Sequence, residues 1–336
     1  MIYMETGSHD PTWNLAFEEY CLTQLTDCPE IMLLWQNHHS IIIGRYQNAE
    51  SEVNANAVRE LGVNVVRRST GGGAVYHDLG NLNYSFIFPE SGEDLDIERI
   101  CRPMIRALRE MGIPAELQGR NDLAIQGQKI SGTAQRLEKG RMLHHGTLLF
   151  DSDLQMLQKV LRVDHAKFQS KGASSVRSRV TNIKPFLPET VSLSDFWQQL
   201  LDVFGREGLE KRSLGEDDLA RIRQLRDEKY RTWDWNYGQA PAFQYCNTQR
   251  YPGGKIQILF NITHGLIHSC KIQGDFLGLT AMEGLESLLV GLPFQRSAVE
   301  QRIKCLQLHL YLGKITLPQL LDCMFQGAVE TERCMV

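Results

Sequence analysis

Apolar positions recur along this chain with two periods, and the switches between them mark out the elements. After Asp10-Pro11, a pair suited to cap and open a helix, Trp13, Ala16, Phe17, Tyr20 and Cys21 fall at helical spacing. Two β-type runs follow, Ile31–Trp35 and Ser40–Ile43, and the polar Gln36-Asn37-His38-His39 between them predicts a hairpin turn. A short helix ending at Gly62 leads into a strand at 63–67 and the loop Ser69-Thr70-Gly71-Gly72-Gly73. In the next strand, 82–88, Leu82, Tyr84, Phe86 and Phe88 alternate with Asn83, Ser85 and Ile87. Ile97, Cys101, Met104, Ile105, Leu108 and Met111 form one stripe of a helix that Gly112 ends in a left-handed cap.

Short extended segments are expected around 123–125, 130–134 and 143–150, then a helix at 154–161. From His165 to Pro188 there is no acidic residue, whereas Lys167, Lys171, Arg177, Arg179 and Lys184 all fall inside, which predicts a basic loop. Helices are expected at 194–205 and 217–230. After Pro241 and the Tyr251-Pro252-Gly253-Gly254 turn the pattern restarts, with a hairpin (255–262, turn at Thr263-His264-Gly265, 266–273) and helices near 282–289, 298–306 and 317–325. A chain of 336 residues exceeds the ceiling of about 250–300 for one hydrophobic core, so two domains are expected, 1–244 and 245–336. Many strands interrupted by a few helices read as α+β with a mixed sheet rather than a repeating βαβ pattern.

Composition narrows the function class. Lys and Arg total 36 against 40 for Asp and Glu, a formal net charge of -4, which argues against a dedicated nucleic-acid binder. The first ten residues carry neither the positive flank nor the apolar stretch of a secretory signal, and no run is long and apolar enough to span a bilayer, so a cytoplasmic location is expected. The 8 cysteines are scattered without a C-x-x-C pair, so neither a zinc site nor a disulfide framework is indicated and most should be reduced core thiols.

The densest unusual segment runs from Arg67-Arg68 through the three glycines to Ala74-Val75-Tyr76-His77-Asp78. Consecutive glycines cost conformational entropy, so they serve either a tight turn or a backbone that a ligand approaches closely. The segment lacks the Gly-Lys-Ser/Thr ending of a P-loop. The two arginines favour a phosphate or carboxylate, although one of two neighbours on a strand must point away. In the second segment, Gly119-Arg120-Asn121-Asp122 and Gly127-Gln128-Lys129-Ile130-Ser131-Gly132-Thr133-Ala134, Lys129 reads equally as an edge-strand lysine, and Asp122 as a turn residue.

Taken together these blocks resemble the lipoate–protein ligase family. Arg67-Arg68-x-x-Gly-Gly-Gly-Ala-Val-Tyr-His-Asp, Gly80-Asn81-x-Asn83-Tyr84-Ser85-Phe86, Gly119-Arg120-Asn121-Asp122 and Lys129-x-Ser131-Gly132-x-Ala134 occur in the family's order and spacing. So do His144-His145-Gly146-Thr147, Lys171-Gly172-x-x-Ser175-Val176-Arg177 and Trp233-x-Trp235-Asn236. The likeness covers essentially the whole chain. It implies a mixed-sheet catalytic domain of the biotin/lipoate ligase type and a small α+β accessory domain of the long family form. It also implies a cytoplasmic enzyme that uses Mg2+ and ATP to turn lipoate into lipoyl-AMP, then acylates a lysine of apo lipoyl-carrier proteins such as 2-oxoacid dehydrogenase E2 subunits or glycine-cleavage H protein.

By the same resemblance Lys129 is catalytic and meets both lipoate and ATP, Arg68 contacts the nucleotide phosphates, and Gly73, Ala74, Val75 and Tyr76 line the nucleotide. Arg68, Ser69, His77 and His145 line lipoate, neither histidine being assigned a proton transfer. Asp122 holds the metal or orients Lys129. Lys171, Gly172, Ser175, Val176 and Arg177 belong to an adenylate-binding loop, whose bland alternative is a solvated basic face. Three rival readings stand beside this one. An acyltransferase on the same fold needs a nucleophilic cysteine near the lysine, and none lies between Cys101 and Cys246. A biotin ligase would carry an Arg/Gly alternation in its phosphate loop. A non-catalytic effector-binding protein would not need Lys129, Arg68 and the glycines intact.

Overall fold

The computed structural model describes residues 1–90, 96–160, 180–237, 245–325 and 329–330. In chain order the strands are β1 (Ile2–Glu5), β2 (Ile31–Trp35), β3 (Ser40–Ile43), β4 (Asn64–Arg67), β5 (Val75–His77), β6 (Asn81–Pro89), β7 (Glu116–Gln118), β8 (Asp122–Ile125), β9 (Gln128–Glu138), β10 (Arg141–Leu149), β11 (Glu210–Lys211), β12 (Tyr245–Tyr251), β13 (Gly254–Thr263), β14 (Leu266–Gly274) and β15 (Val329–Glu330). They form an eight-stranded sheet ordered β11-β1-β2-β6-β10-β9-β8-β7, a three-stranded sheet β4-β3-β5 and a four-stranded sheet β14-β13-β12-β15. The large sheet is mixed: β1 runs parallel to β2 and β11, whereas β6, β10 and β9 pair antiparallel. This is the α+β, mixed-sheet class expected from the sequence.

The large sheet is buried on both faces, which explains why β2 reads as an unbroken apolar run. Because successive side chains point to opposite faces, Met32 and Leu34 enter one core with Met104 and Phe196 of the helices Ile97–Glu110 and Leu193–Gly205. Ile31, Leu33 and Trp35 enter the other, with Phe17 and Ile222 of the helices Pro11–Thr23 and Glu216–Leu225. The Pro11–Thr23 helix opens as expected: the Asp10 carboxylate accepts from the Thr12 N–H, and Pro11 takes the first helical position, where no donor is needed.

The hairpin expected at 36–39 does not form. β2 and β3 belong to different sheets, and the link between them is stitched to the start of the Pro11–Thr23 helix. The Asn14 amide donates to the Gln36 carbonyl at 2.7 Å and to Asn37 Oδ1 at 2.9 Å, and the His38 N–H donates to the His9 carbonyl. The expected strand at 143–150 and hairpin at 255–273 do form, the latter with a bulge at Asn261/Ile262.

Residues 245–325 build their own core from Ile258, Phe260, Leu285, Val299 and Leu320, between the four-stranded sheet and four short helices. Tyr46 of the N-terminal part enters that core, stacks on Phe276 at 5.2 Å and hydrogen-bonds the Thr280 carbonyl. Gly72 N–H donates to the Phe276 carbonyl at 3.0 Å, and Leu137 N–H to the Leu279 carbonyl at 2.7 Å. The glycine loop is therefore bonded directly to the C-terminal part. Among the described residues no helix is long and apolar enough to cross a membrane.

Candidate active site

A cavity of about 420 Å3 lies where the glycine loop, the β8–β9 hairpin and the middle of β10 converge. Positive φ angles at Gln126 and Gly127 (51° and 77°) make the hairpin's tight turn. A register shift between Leu123 and Ala124 then sets Lys129 opposite Ala124. Lys129 Nζ lies 2.7 Å from Asp122 Oδ1, and both side chains are 35% exposed at the cavity wall. Gly132 keeps that position open, since a Cβ there would stand 2.9 Å from Nζ. The Lys129 carbonyl accepts from Thr181 N–H, so the segment at Val180 and Thr181 runs alongside the lysine.

Arg67 and Arg68 part ways as neighbours on a strand must. Arg67 is wholly buried away from the cavity, and its guanidinium donates to the carbonyls of Gly44, Gln47, Trp235 and Asn236. Arg68 forms part of the cavity wall but turns its donors to the protein: Nε to Thr70 Oγ1 at 3.0 Å, Nη1 to the Ile42 carbonyl at 3.0 Å, Nη2 to the carbonyls of Gly71 and Gly73. Burial draws its pKa down to about 10, opposed by the Glu18 charge. Gly73, Ala74 and Val75 line the cavity. Tyr76 points its ring into another cluster and bonds His39, and it is not part of the cavity wall. Ser69 is buried and its side chain is not part of that wall.

Both singled-out histidines reach the cavity wall. The Asn37 amide donates to His77 Nδ1, which leaves the ring proton on Nε2; burial, with Arg68 and His145 nearby, pushes the pKa down to about 3, so His77 is neutral near pH 7. His145 stands between Glu18 Oε1 and Thr70 Oγ1, each 2.8 Å from a ring nitrogen. Lys171, Gly172, Ser175, Val176 and Arg177 lie outside the described residues. No three His, Cys, Asp or Glu side chains gather as a metal-binding group among the described residues. A divalent ion carried by a nucleotide needs only one or two protein carboxylates, and Asp122 is available at the wall.

Sequence reasoning left Glu18 and Asp275 unmentioned and gave no role to Thr70 and Arg120, which it quoted within motifs. Asp275 comes from the C-terminal part into the cavity wall, and Arg120 holds the carbonyls of Gly253 and Asp275. The one legible signal was in the Pro11–Thr23 helix, whose apolar residues leave no solvent face for Glu18 and Glu19. Cations and backbone donors facing one cavity suit a reaction that joins two anions.

Residues 10–205 match the family of the lipoyl protein ligase A/B catalytic domain, and residues 240–324 the bacterial lipoate protein ligase C-terminus. The chain is 42% identical over 331 residues to lipoate-protein ligase LplJ of Bacillus subtilis, covering 97% of this chain and 100% of that one. Among solved structures it is similar to LipL1 of P. falciparum in complex with lipoate (26% identity, TM-score 0.80, 97% of this chain and 99% of the other). It is similar also to a lipoate-protein ligase A bound with ATP (32%, TM-score 0.59, 70% and 98%). A third likeness is to the bipartite lipoate protein ligase described with its E2 lipoyl domain from Thermoplasma acidophilum (33%, TM-score 0.60, 72% and 97%).

Proposed function

Since the chain belongs to the lipoate–protein ligase family, we infer that its cavity is where lipoate and ATP react and that Lys129 is the residue meeting both. A lipoate carboxylate oxygen bonds the α-phosphorus, the bond to the bridging oxygen breaks, and pyrophosphate leaves. In the second step a carrier lysine amine bonds the acyl carbon, loses a proton, and AMP departs. Both steps gather negative charge on phosphate oxygens, and the ammonium of Lys129 with the N–H groups of Gly73 to Val75 is set to balance it. The observation that carries this reading is the placement of Lys129, fixed by a bulged hairpin and an ion pair on the wall facing the glycine loop.

The Lys129–Asp122 contact supports an orienting role for Asp122. A divalent ion would arrive with ATP and neutralise its phosphates. The inward hydrogen bonds of Arg68 favour shaping of the loop over direct contact with phosphates, while His77 and His145 suit the wall around lipoate. The acyl acceptors are lipoyl-domain proteins, and E2 subunits and H protein are the proposed carriers, in the cytoplasm. Residues 1–244 form the proposed adenylating and transferring domain and 245–336 the accessory one, a division supported by the separate core of 245–325. The covalent alternative finds no support in the cavity, since none of the described cysteines lines it. Pyrophosphate release dependent on both lipoate and ATP, lost in Lys129→Met, tests the reading.

A further inference from the structure

Glu18 is an acid in the interior, 1% exposed, on a helix remote in sequence from every adenylation block. Hydrogen bonds reach it from two sides. Trp35 Nε1 can only donate, so Ser85 Oγ accepts it at 3.0 Å and passes its own hydrogen to Glu18 Oε1 at 2.6 Å. On the other side Arg68 Nε can only donate, so Thr70 Oγ1 accepts it at 3.0 Å and offers its hydrogen to His145 Nε2 at 2.8 Å. His145 then carries its proton on Nδ1, donated to the same Glu18 oxygen at 2.8 Å. Every hydrogen in the chain is thus directed toward one carboxylate. The far end is the guanidinium whose Nη2 fixes the carbonyls of Gly71 and Gly73, and, because a peptide unit is planar, with the latter the facing of the Ala74 N–H at the cavity wall.

We propose that Glu18 is a positioning residue for the nucleotide: through His145 and Thr70 it orients Arg68, and Arg68 sets the glycine loop that binds ATP. This rests on the ligase reading of the cavity and deepens it, because it ties the wall around the acyl group to the loop around the phosphates. With the Glu18 acceptor gone, His145 is free to take the other tautomer. Its Nε2 then donates to Thr70, the Thr70 hydroxyl turns away, and the Nε anchor of Arg68 weakens. A purely local role for Glu18 would leave ATP untouched and alter lipoate alone.

The test is the KM for ATP at saturating lipoate, read by pyrophosphate release on the full chain, beside the KM for lipoate. Glu18→Met, which removes the acceptor, and the near-isosteric Thr70→Val are each expected to raise the ATP KM about tenfold, the worth of one charge-assisted hydrogen bond. Thr70→Ser, which keeps the hydroxyl, should restore it. The double variant Glu18→Met/Thr70→Val should rise no further than either single one, because both cut one chain. An unchanged ATP KM in folded Glu18→Met, or a double-variant rise equal to the product of the single ones, overturns the proposal. If Glu18→Met does not fold, the Thr70 pair decides: equal KM values for valine and serine overturn it. Nitrogen-15 spectra of labelled histidine provide a second reading, with the His145 proton expected on Nδ1 in the unaltered chain, and a proton on Nε2 alone would contradict the hydrogen-bond order. Failure of the unaltered chain to release pyrophosphate would instead remove the ligase reading, and the inference with it.

Discussion

Replacing Lys129 by methionine separates chemistry from folding, because the two losses differ widely in size. Among the described residues the ammonium has one ion-pair partner, Asp122 at 2.7 Å, and each side chain is 35% exposed, so breaking that pair costs at most about 1 kcal/mol of stability. In a chain of this size that lowers Tm by no more than a few degrees. The catalytic loss is larger. A preorganised charge facing oxygens that become more negative in the transition state is worth ~10²–10³ in rate, and it should appear in turnover more than in substrate affinity. Arginine should not rescue the variant. Its planar, forked guanidinium cannot put a point charge where the compact ammonium sits, 2.7 Å from Asp122 Oδ1. Pyrophosphate release and lipoyl-AMP formation, with circular dichroism on the same preparation, measure both quantities. Lipoyl-AMP formation near the unaltered rate by a folded Lys129→Met enzyme would refute the role given to this residue.

Gly71→Ala should lower adenylation more than lipoyl transfer from preformed lipoyl-AMP, since its Cβ would stand 2.7 Å from the Phe276 carbonyl oxygen and force the C-terminal part off the glycine loop; equal loss of both steps would count against that coupling. Alkylation of the native protein should modify the exposed Cys305 and leave lipoylation intact, because burial pushes Cys101 up to about 11 and Cys270 up to about 12, and no described cysteine reaches the cavity. Inactivation that lipoate and ATP protect against would revive a covalent step. Glu19 is buried, which alone would raise its pKa, but Lys229 and Arg136 bring it from 4.5 down to about 2. A folded pKa below the unfolded one gives stability present above pH 4.5 and lost as pH falls toward 2, on the order of a few kcal/mol. Denaturant titrations of the unaltered chain and Glu19→Gln should therefore converge over that window, and a constant gap would show that the cluster does not titrate as described.

How much of this was legible in the sequence depended on how local the cause was. The Asp10-Pro11 cap and the left-handed Gly112 after the Ile97–Glu110 helix involve neighbours, and both stand where the residue types placed them. The Gln36–His39 link failed as a hairpin because strand pairing is decided at a distance: β2 takes β1 on one side and β6 on the other. Arg68 was readable as a cation beside glycines. Its donors point to the loop's own carbonyls, a consequence of burial that no spacing reveals. Glu18 and Asp275 escaped for the same reason, since only tertiary packing brings the Glu18 carboxylate to His145 and carries Asp275, far along the chain, into the cavity wall.

The most direct measurement of the central claim is the intact mass of an apo lipoyl domain incubated with this protein, lipoate and ATP. The expected result is a gain of one lipoyl group on a single lysine, absent without ATP and absent with Lys129→Met. A carrier that stays unmodified while the protein is folded, or one that is lipoylated equally well without ATP, would contradict it.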